Sequence, residues 1–317
     1  MTLRISYLIE EPAISASTRL ALAQADALTA RGHRVRVVTD GPSVRWRSSR
    51  AEWIDVDGLT AYDAAVDDAV VAATDGATRV AQRIAGDRAV HLVHAIGDCV
   101  PELPETKLVV ARSLVDACRR VSEKVVYVPP IVDEVLYRRR DAREHDPLRV
   151  LLAGASQNET HGIAEGYGAV AHARWFHQKL DLVRVSPWTP SRDEPLDSVQ
   201  EFHIALTTDE MARLVHSCDL AVVPSHAEEG LSLVACEAMA AGVPLLLTSV
   251  PEHLSFDPVT DYALFAPERN AVDLGEALIE LASDAAIRAR LRARGREIAD
   301  QWRAEVVAPN LEKFFTP

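Results

Sequence analysis

Short apolar runs alternate with longer Ala/Leu-rich stretches along almost the whole chain, the pattern of buried strands separated by amphipathic helices. Residues 3–9 predict a strand, and residues 17–31 predict a helix with Ser17 or Thr18 as its N-cap and Gly32-His33 as its stop. Residues 34–39 alternate Arg with Val, which gives a second strand and a β–α–β opening to a parallel sheet. Further strands are expected at 64–72, 89–94, 107–111 and 124–128, with helices at 77–84 and 113–121. Pro129-Pro130 and the segment 133–147, with its Arg138-Arg-Arg140 run, interrupt the alternation and read as a connection. A second series follows: strand 148–153, helix 163–177, strands 180–185 and 202–206, helix 209–216 and a strand from Asp219. The fold class is therefore α/β, with two Rossmann-like doubly wound domains at 1–146 and 147–303 and a helical stretch at 304–317. That stretch is expected to pack back on the first domain.

Composition narrows the function. The 317 residues suffice for two cores, and 48% hydrophobic with 26% charged residues describes a globular chain. No apolar run reaches the roughly 18 residues of a membrane span. Met1-Thr-Leu-Arg leads straight into a strand, so a cytoplasmic location is expected. A net charge of −13 argues against nucleic acid as a partner. Residues 147–317 hold 14 Lys+Arg against 25 Asp+Glu, so the second half carries −11 of that charge. Cys99, Cys118, Cys218 and Cys236 form no C-x-x-C pair, which supports neither a disulfide framework nor a zinc site. Lys107, Lys124, Lys179 and Lys313 sit in no recognisable cofactor motif, so no cofactor is expected, and no metal is expected either.

The most informative stretch is Glu229-Gly-Leu-Ser-Leu-Val-Ala-Cys-Glu237, which follows the apolar run Asp219-Leu-Ala-Val-Val-Pro-Ser225 and precedes Ala-Met-Ala-Ala-Gly242-Val-Pro244. It reads as strand, loop and helix, with Gly242 to Pro244 opening a strand at 245–247. Amides of Gly230, Leu231 and Ser232 at the helix start suit a phosphate, because unsatisfied N–H groups and the helix dipole both favour an anion there. Glu237 on the helix suits ribose hydroxyls, and Glu229 in the loop suits a sugar. The plainer alternative is an acidic loop before an ordinary helix.

This stretch resembles the E-x7-E signature of retaining glycosyltransferases of family 4, with Glu229, Gly230, Glu237, Ala238, Met239, Ala240, Gly242 and Pro244 in place and Ser232 where the family has a second loop glycine. Thr29-Ala-Arg-Gly-His-Arg-Val-Arg-Val-Val-Thr39, Val128-Pro-Pro-Ile-Val-Asp133 and the segment 206–219 are similar to other family segments, so the likeness covers nearly the whole chain. It implies a GT-B fold, with two Rossmann-like domains facing across a cleft, and metal-independent transfer of a sugar from a nucleotide-sugar donor with retention. Donor contacts are then expected from Gly154, His161, Gly230, Leu231, Ser232 and Glu237, and catalytic roles from His94 and Glu229.

The chain departs from the family at the phosphate clamp. In Gly154-Ala-Ser-Gln-Asn-Glu-Thr-His-Gly162, Ala155 stands where Arg is usual and His161 where Lys is usual. Ala supplies no charge-assisted bond, and imidazole is half charged only near its unperturbed pKa of about 6.5. Arg184 and Arg19 are the candidates to reach in instead. A second reading is a non-catalytic GT-B homologue that acts as a binding or scaffolding subunit.

The acceptor is unidentified, whether small molecule, glycan or lipid-linked. His91 and His94 are three apart on a predicted strand and face opposite sides, with His94 at the C-terminal end where the family places a polar residue. Ser15 and Ser17, before the first helix, are the acceptor-binding candidates. Arg45-Trp-Arg-Ser-Ser-Arg50 has two readings, peripheral contact with an anionic membrane or solvated surface.

Overall fold

The computed structural model describes residues 1–10, 14–41, 46–99, 101, 104, 106–137 and 144–316. The chain forms two compact units, Met1–Asp133 with Trp302–Pro317, and Glu134–Gln301.

The first unit holds a seven-stranded sheet of order β3-β2-β1-β4-β5-β6-β7, every pair parallel. Its strands are β1 Arg4–Ile9, β2 Arg34–Asp40, β3 Glu52–Val56, β4 Ala69–Ala72, β5 Ala89–Val93, β6 Thr106–Val109 and β7 Lys124–Tyr127. Helices α1 (Ala16–Ala30), α2 (Asp75–Ala85) and α3 (Val115–Arg119) connect them. The second unit begins with α4 (Glu134–Tyr137) and holds a six-stranded parallel sheet of order β10-β9-β8-β11-β12-β13. These strands are β8 Leu148–Ala153, β9 Leu180–Ser186, β10 Glu201–Ile204, β11 Leu220–Val223, β12 Leu245–Thr248 and β13 Ala263–Ala266. Around them lie α5 (Ile163–Trp175), α6 (Thr208–His216), α7 (Leu233–Ala241), α8 (Pro251–Leu254), α9 (Ala271–Ser283) and α10 (Ala285–Ala299). The final helix, α11 (Ala304–Phe315), belongs to the first unit.

Parallel strands covered on both faces read as continuous apolar runs, and β11 and β12 are buried at every position. Strand order reverses between β8 and β11 in the second sheet, so the loops that leave these two strands flank the position at their C-terminal ends where open α/β sheets bind ligands. The core beneath it is formed by Val150, Leu152, Val170, Leu182, Val222, Leu246, Leu274 and Leu278.

α11 packs on α1 within the first unit, with Val307, Leu311 and Phe315 buried. Arg31 Nε donates to Glu312 Oε2 at 2.7 Å, and His33 Nε2 lies 3.3 Å from Glu312 Oε1. His33 Nδ1 accepts from the Leu3 amide at 3.2 Å, so this contact also ties the start of the sheet to the final helix.

Several elements differ from the sequence reading. The α1 N-cap is Ser15, whose Oγ accepts from the Thr18 amide at 3.2 Å, rather than Ser17 or Thr18. The strand expected at 64–72 shrinks to β4, because Asp67 turns inward to accept from Ser6 Oγ at 2.9 Å and Tyr62 Oη at 3.0 Å. β3, β13, α9 and α10 were not foreseen. Of the Pro-rich connection, residues 138–143, which include the Arg138-Arg-Arg140 run, lie outside the described residues.

Candidate functional site

In the second unit the loop from Gly154 to Gly162 leaves β8, and the loop from Pro224 to Ser232 leaves β11, one on each side of the strand-order reversal. Gly162 opens α5 at φ +62, and a Cβ there would fall 1.9 Å from the Pro224 carbonyl oxygen, so only glycine permits this approach. The His226 amide donates to Thr160 O at 2.7 Å and laces the two loops together.

That closure brings His161 back to the end of β8. His161 Nδ1 lies 2.7 Å from the Ala155 amide and 3.1 Å from the Ala155 carbonyl oxygen, and Nε2 lies 3.3 Å from the Asn158 side-chain amide nitrogen. Nε2 stands 3.9 Å from Glu229 Oε1. Burial, joined by the positive charge of Arg184, outweighs the hydrogen bond to the Ala155 carbonyl and holds the His161 imidazole below its ordinary pKa. The ring is thus neutral in the free protein at neutral pH. Gly154, at φ +141, packs against the ring, since a Cβ would meet Nδ1 at 3.0 Å.

Glu229 ends a short 3-10 turn, Ala227–Glu229, its amide donating to His226 O at 3.1 Å. Gly230 takes φ +84 and turns the chain into Leu231 and Ser232, both 3% exposed. Ser232 is the α7 N-cap, accepting from the Ala235 amide at 3.4 Å. The amides of Gly230, Leu231 and Ser232 therefore form the lead-in to the helix rather than its first turn, a correction to the sequence reading, and the first helical residues are Leu233 and Val234. Glu237 lies a turn further on, 4% exposed. His161, Glu229 and the α7 N-terminus thus gather at the ends of β8 and β11, with Glu237 on α7 behind them.

Arg184, considered as a stand-in for the missing cation, is fully buried on β9. Its Nε donates to Glu194 Oε1 at 2.8 Å, and Glu194 also accepts from Tyr167 Oη at 3.0 Å and Ser156 Oγ at 2.6 Å. Its charge is committed to an internal network that braces the β8 loop. Sequence reasoning missed that network, and also His226, which is 3% exposed with Nε2 3.2 Å from Glu165 Oε1. A histidine directly after Pro224-Ser225 was the available signal.

The first unit carries the remaining candidates. His94 follows β5, its Nδ1 2.8 Å from Asp98 Oδ2, and Asp98 also accepts from the His94 and Ala95 amides at 3.1 and 3.0 Å. Burial opposes ionisation of Asp98, but these hydrogen bonds prevail and hold its carboxyl below the usual range. His91 is fully buried and pushed down to about 4, chiefly by burial. Ser15 and Ser17 hydrogen-bond to each other at 3.0 Å, and Ser15 bonds to Thr18 Oγ1 at 3.0 Å. Both hydroxyls serve the N-cap. In the basic patch Arg45 lies outside the described residues, and Arg47 pairs with Asp26 at 3.0 Å, which favours the solvated-surface reading. Among the described residues no group of three or more His, Cys, Asp or Glu is placed to hold a metal ion, and no helix is long and apolar enough to cross a membrane.

Residues 149–284, which contain both loops, match the family described as "Glycosyl transferases group 1". An uncharacterized glycosyltransferase of Methanocaldococcus jannaschii is 32% identical over 108 residues, 34% of this chain and 30% of that relative's length. Among solved structures, a sucrose-phosphate synthase from Thermosynechococcus elongatus superposes with a TM-score of 0.78 at 19% identity, covering 99% of this chain and 98% of its own. Anabaena HepE, solved in complex with UDP-glucose, superposes with a TM-score of 0.78 at 14% identity, over 98% of this chain and 99% of its own. The two Rossmann-like units are those of the GT-B fold.

Proposed function

We propose that the protein is a glycosyltransferase of the retaining, E-x7-E type that takes a nucleotide-sugar donor in the second unit. The observation that carries this reading is the meeting of His161, Glu229 and the α7 N-terminus at the sheet's strand-order reversal. The family match over 149–284 supports it, as does the likeness to a structure solved with UDP-glucose.

In this reading the donor diphosphate lies over the lead-in to α7, where the first-turn amides and the helix dipole favour negative charge. His161 supplies a neutral imidazole in place of an ammonium. Gly154 lets the chain pass close to the ring, and Glu237 accepts from ribose hydroxyls. Glu229 holds the sugar. Departure of the nucleoside diphosphate leaves positive charge at the anomeric carbon, and donors already in place stabilise the leaving group without a metal. His94, oriented by Asp98, is assigned to an acceptor hydroxyl, with Ser15 and Ser17 lining the acceptor side. The acidic character of the second half makes uncharged donors the main phosphate ligands, which sets a weaker donor affinity than an Arg/Lys clamp would give.

The test is turnover. Release of nucleoside diphosphate from UDP-glucose and other nucleotide-sugars, by wild type and Glu229→Gln, is measured in the presence of candidate acceptors. Release that the substitution abolishes supports the reading. Binding without release by the wild type across donors and acceptors points to the non-catalytic alternative.

A further inference from the structure

The loop that leaves β11 is held from two sides of the second unit. On one side Thr248 Oγ1, at the end of β12, donates to Ser225 O, the Ala227 amide donates to Glu268 Oε2 at 3.1 Å, and Arg269 pairs with Glu228 at 3.2 Å. On the other side, toward β8, the hold runs through His226. Its amide donates to Thr160 O at 2.7 Å, one residue before His161, and its carbonyl accepts from the Glu229 amide at 3.1 Å. Its imidazole Nε2 lies 3.2 Å from Oε1 of Glu165, in the first turn of α5. The turn that ends at His161 and the turn that ends at Glu229 therefore meet at one residue.

The His226 ring is buried, and its Nδ1 has no hydrogen-bond partner among the described residues. An unpaired buried ring nitrogen costs stability, so an apolar side chain would fill this position more favourably. What the imidazole adds over such a filler is its directional tie to Glu165.

We propose, on the nucleotide-sugar reading of this site, that His226 is a positioning residue: held by Glu165, it sets the separation of His161 and Glu229. Helix α5 gives the ring a fixed anchor, and the ring is joined through its own backbone to both loops. In His226→Ala the two backbone hydrogen bonds remain, but the loop is free to shift against α5, and the 3.9 Å approach of His161 Nε2 to Glu229 Oε1 loosens. A donor that needs both residues at once is sensitive to a displacement of about 1 Å. Glu165 supplies the discriminating sign. Its charge opposes a diphosphate, so on electrostatics alone its removal tightens binding, whereas loss of the tie weakens it.

The test is calorimetric titration with nucleoside diphosphates of wild type, His226→Ala, Glu165→Ala, the double variant and Glu165→Gln, each checked for folding by thermal melt. His226→Ala and Glu165→Ala should each weaken binding about tenfold, and the double variant should match His226→Ala within about twofold, because the two side chains act as one unit. Glu165→Gln keeps an acceptor for the ring and should bind as tightly as wild type or more so, a rescue that a change in stability alone does not produce. Unchanged affinity in folded His226→Ala, additive losses in the double variant, or Glu165→Gln as weak as Glu165→Ala overturns the proposal while leaving the donor site in place. A wild type that binds no nucleotide overturns the donor reading and the proposal with it. Should His226→Ala fail to fold, the comparison of Glu165→Ala with Glu165→Gln decides.

Discussion

Ala155 holds the His161 ring at the end of β8, its amide 2.7 Å and its carbonyl oxygen 3.1 Å from Nδ1, with Nε2 3.9 Å from Glu229 Oε1. Burial keeps this residue, which stands where a cation was expected, neutral.

His161→Ala removes that imidazole from the proposed donor site. Loss of a hydrogen bond to a charged group costs about 1.5–3 kcal/mol, so nucleoside diphosphate affinity should fall roughly tenfold or more. The pH dependence has a definite sign. The free ring has a lowered pKa, and a bound diphosphate would raise it, so binding takes up a proton. Affinity should rise as pH falls through the bound-state pKa and level off below the free-state value, which itself lies under the ordinary value of about 6.5. Calorimetry from pH 8 to 5 checks this, and His161→Ala should flatten the rise.

Gly162→Ala should destabilise the protein by about 2 kcal/mol or more, because the substitution combines a left-handed backbone with a direct clash. The clash is with the Pro224 carbonyl oxygen, 1.9 Å from the added Cβ. Urea unfolding gives the number, and a variant as stable as wild type would mean that the two loops do not meet as described.

The alternation of strand and helix was legible because parallel strands covered on both faces need unbroken apolar runs, as Ala69–Ala72 and Leu220–Val223 show. α10 was not, because its sequence is rich in arginine and carries no wide apolar stripe. Arg288 in it is 6% exposed, held by Glu144 Oε2 at 2.7 Å and by the Leu281 and Ala282 carbonyls at 2.9 and 2.7 Å. The glutamate spacing in the candidate site could be read directly. The Ala155–His161 contact could not, since it depends on Gly162 folding the loop back. Nor could the fate of Arg184, whose partner Glu194 comes from a loop with no periodic pattern to place it.

Acid should destabilise the protein through two buried neutral histidines, His91 and His253, both lowered to about 4, chiefly by burial. A histidine whose folded pKa is depressed contributes stability above its unfolded value of about 6.5. That stability is lost as pH falls toward 4, at a rate approaching 1.4 kcal/mol per pH unit for each ring. Around His91 stand Lys107, Asp98 and His94. Since both of its ring nitrogens are buried without a hydrogen-bond partner, His91→Leu should cost little at pH 7 and reduce the acid slope. Denaturant melts at pH 7 and pH 5 compare the two proteins, and an unchanged slope would contradict the neutral assignment.

Glu229→Gln should lower sugar transfer by about 100-fold, equivalent to roughly 2.7 kcal/mol of transition-state stabilisation, while thermal stability stays near wild type. Steady-state kinetics alongside a thermal melt separates this from simple unfolding.

The central claim is that the second unit holds a nucleotide-sugar through Glu237 and the lead-in to α7. Calorimetric titration of wild type and Glu237→Gln with a panel of nucleoside diphosphates tests it most directly. The account predicts saturable binding of at least one nucleotide by wild type, weakened tenfold or more in Glu237→Gln, equivalent to about 1.4 kcal/mol. Absence of binding by wild type at millimolar concentrations of every nucleotide, or equal affinity in the two folded proteins, would contradict it.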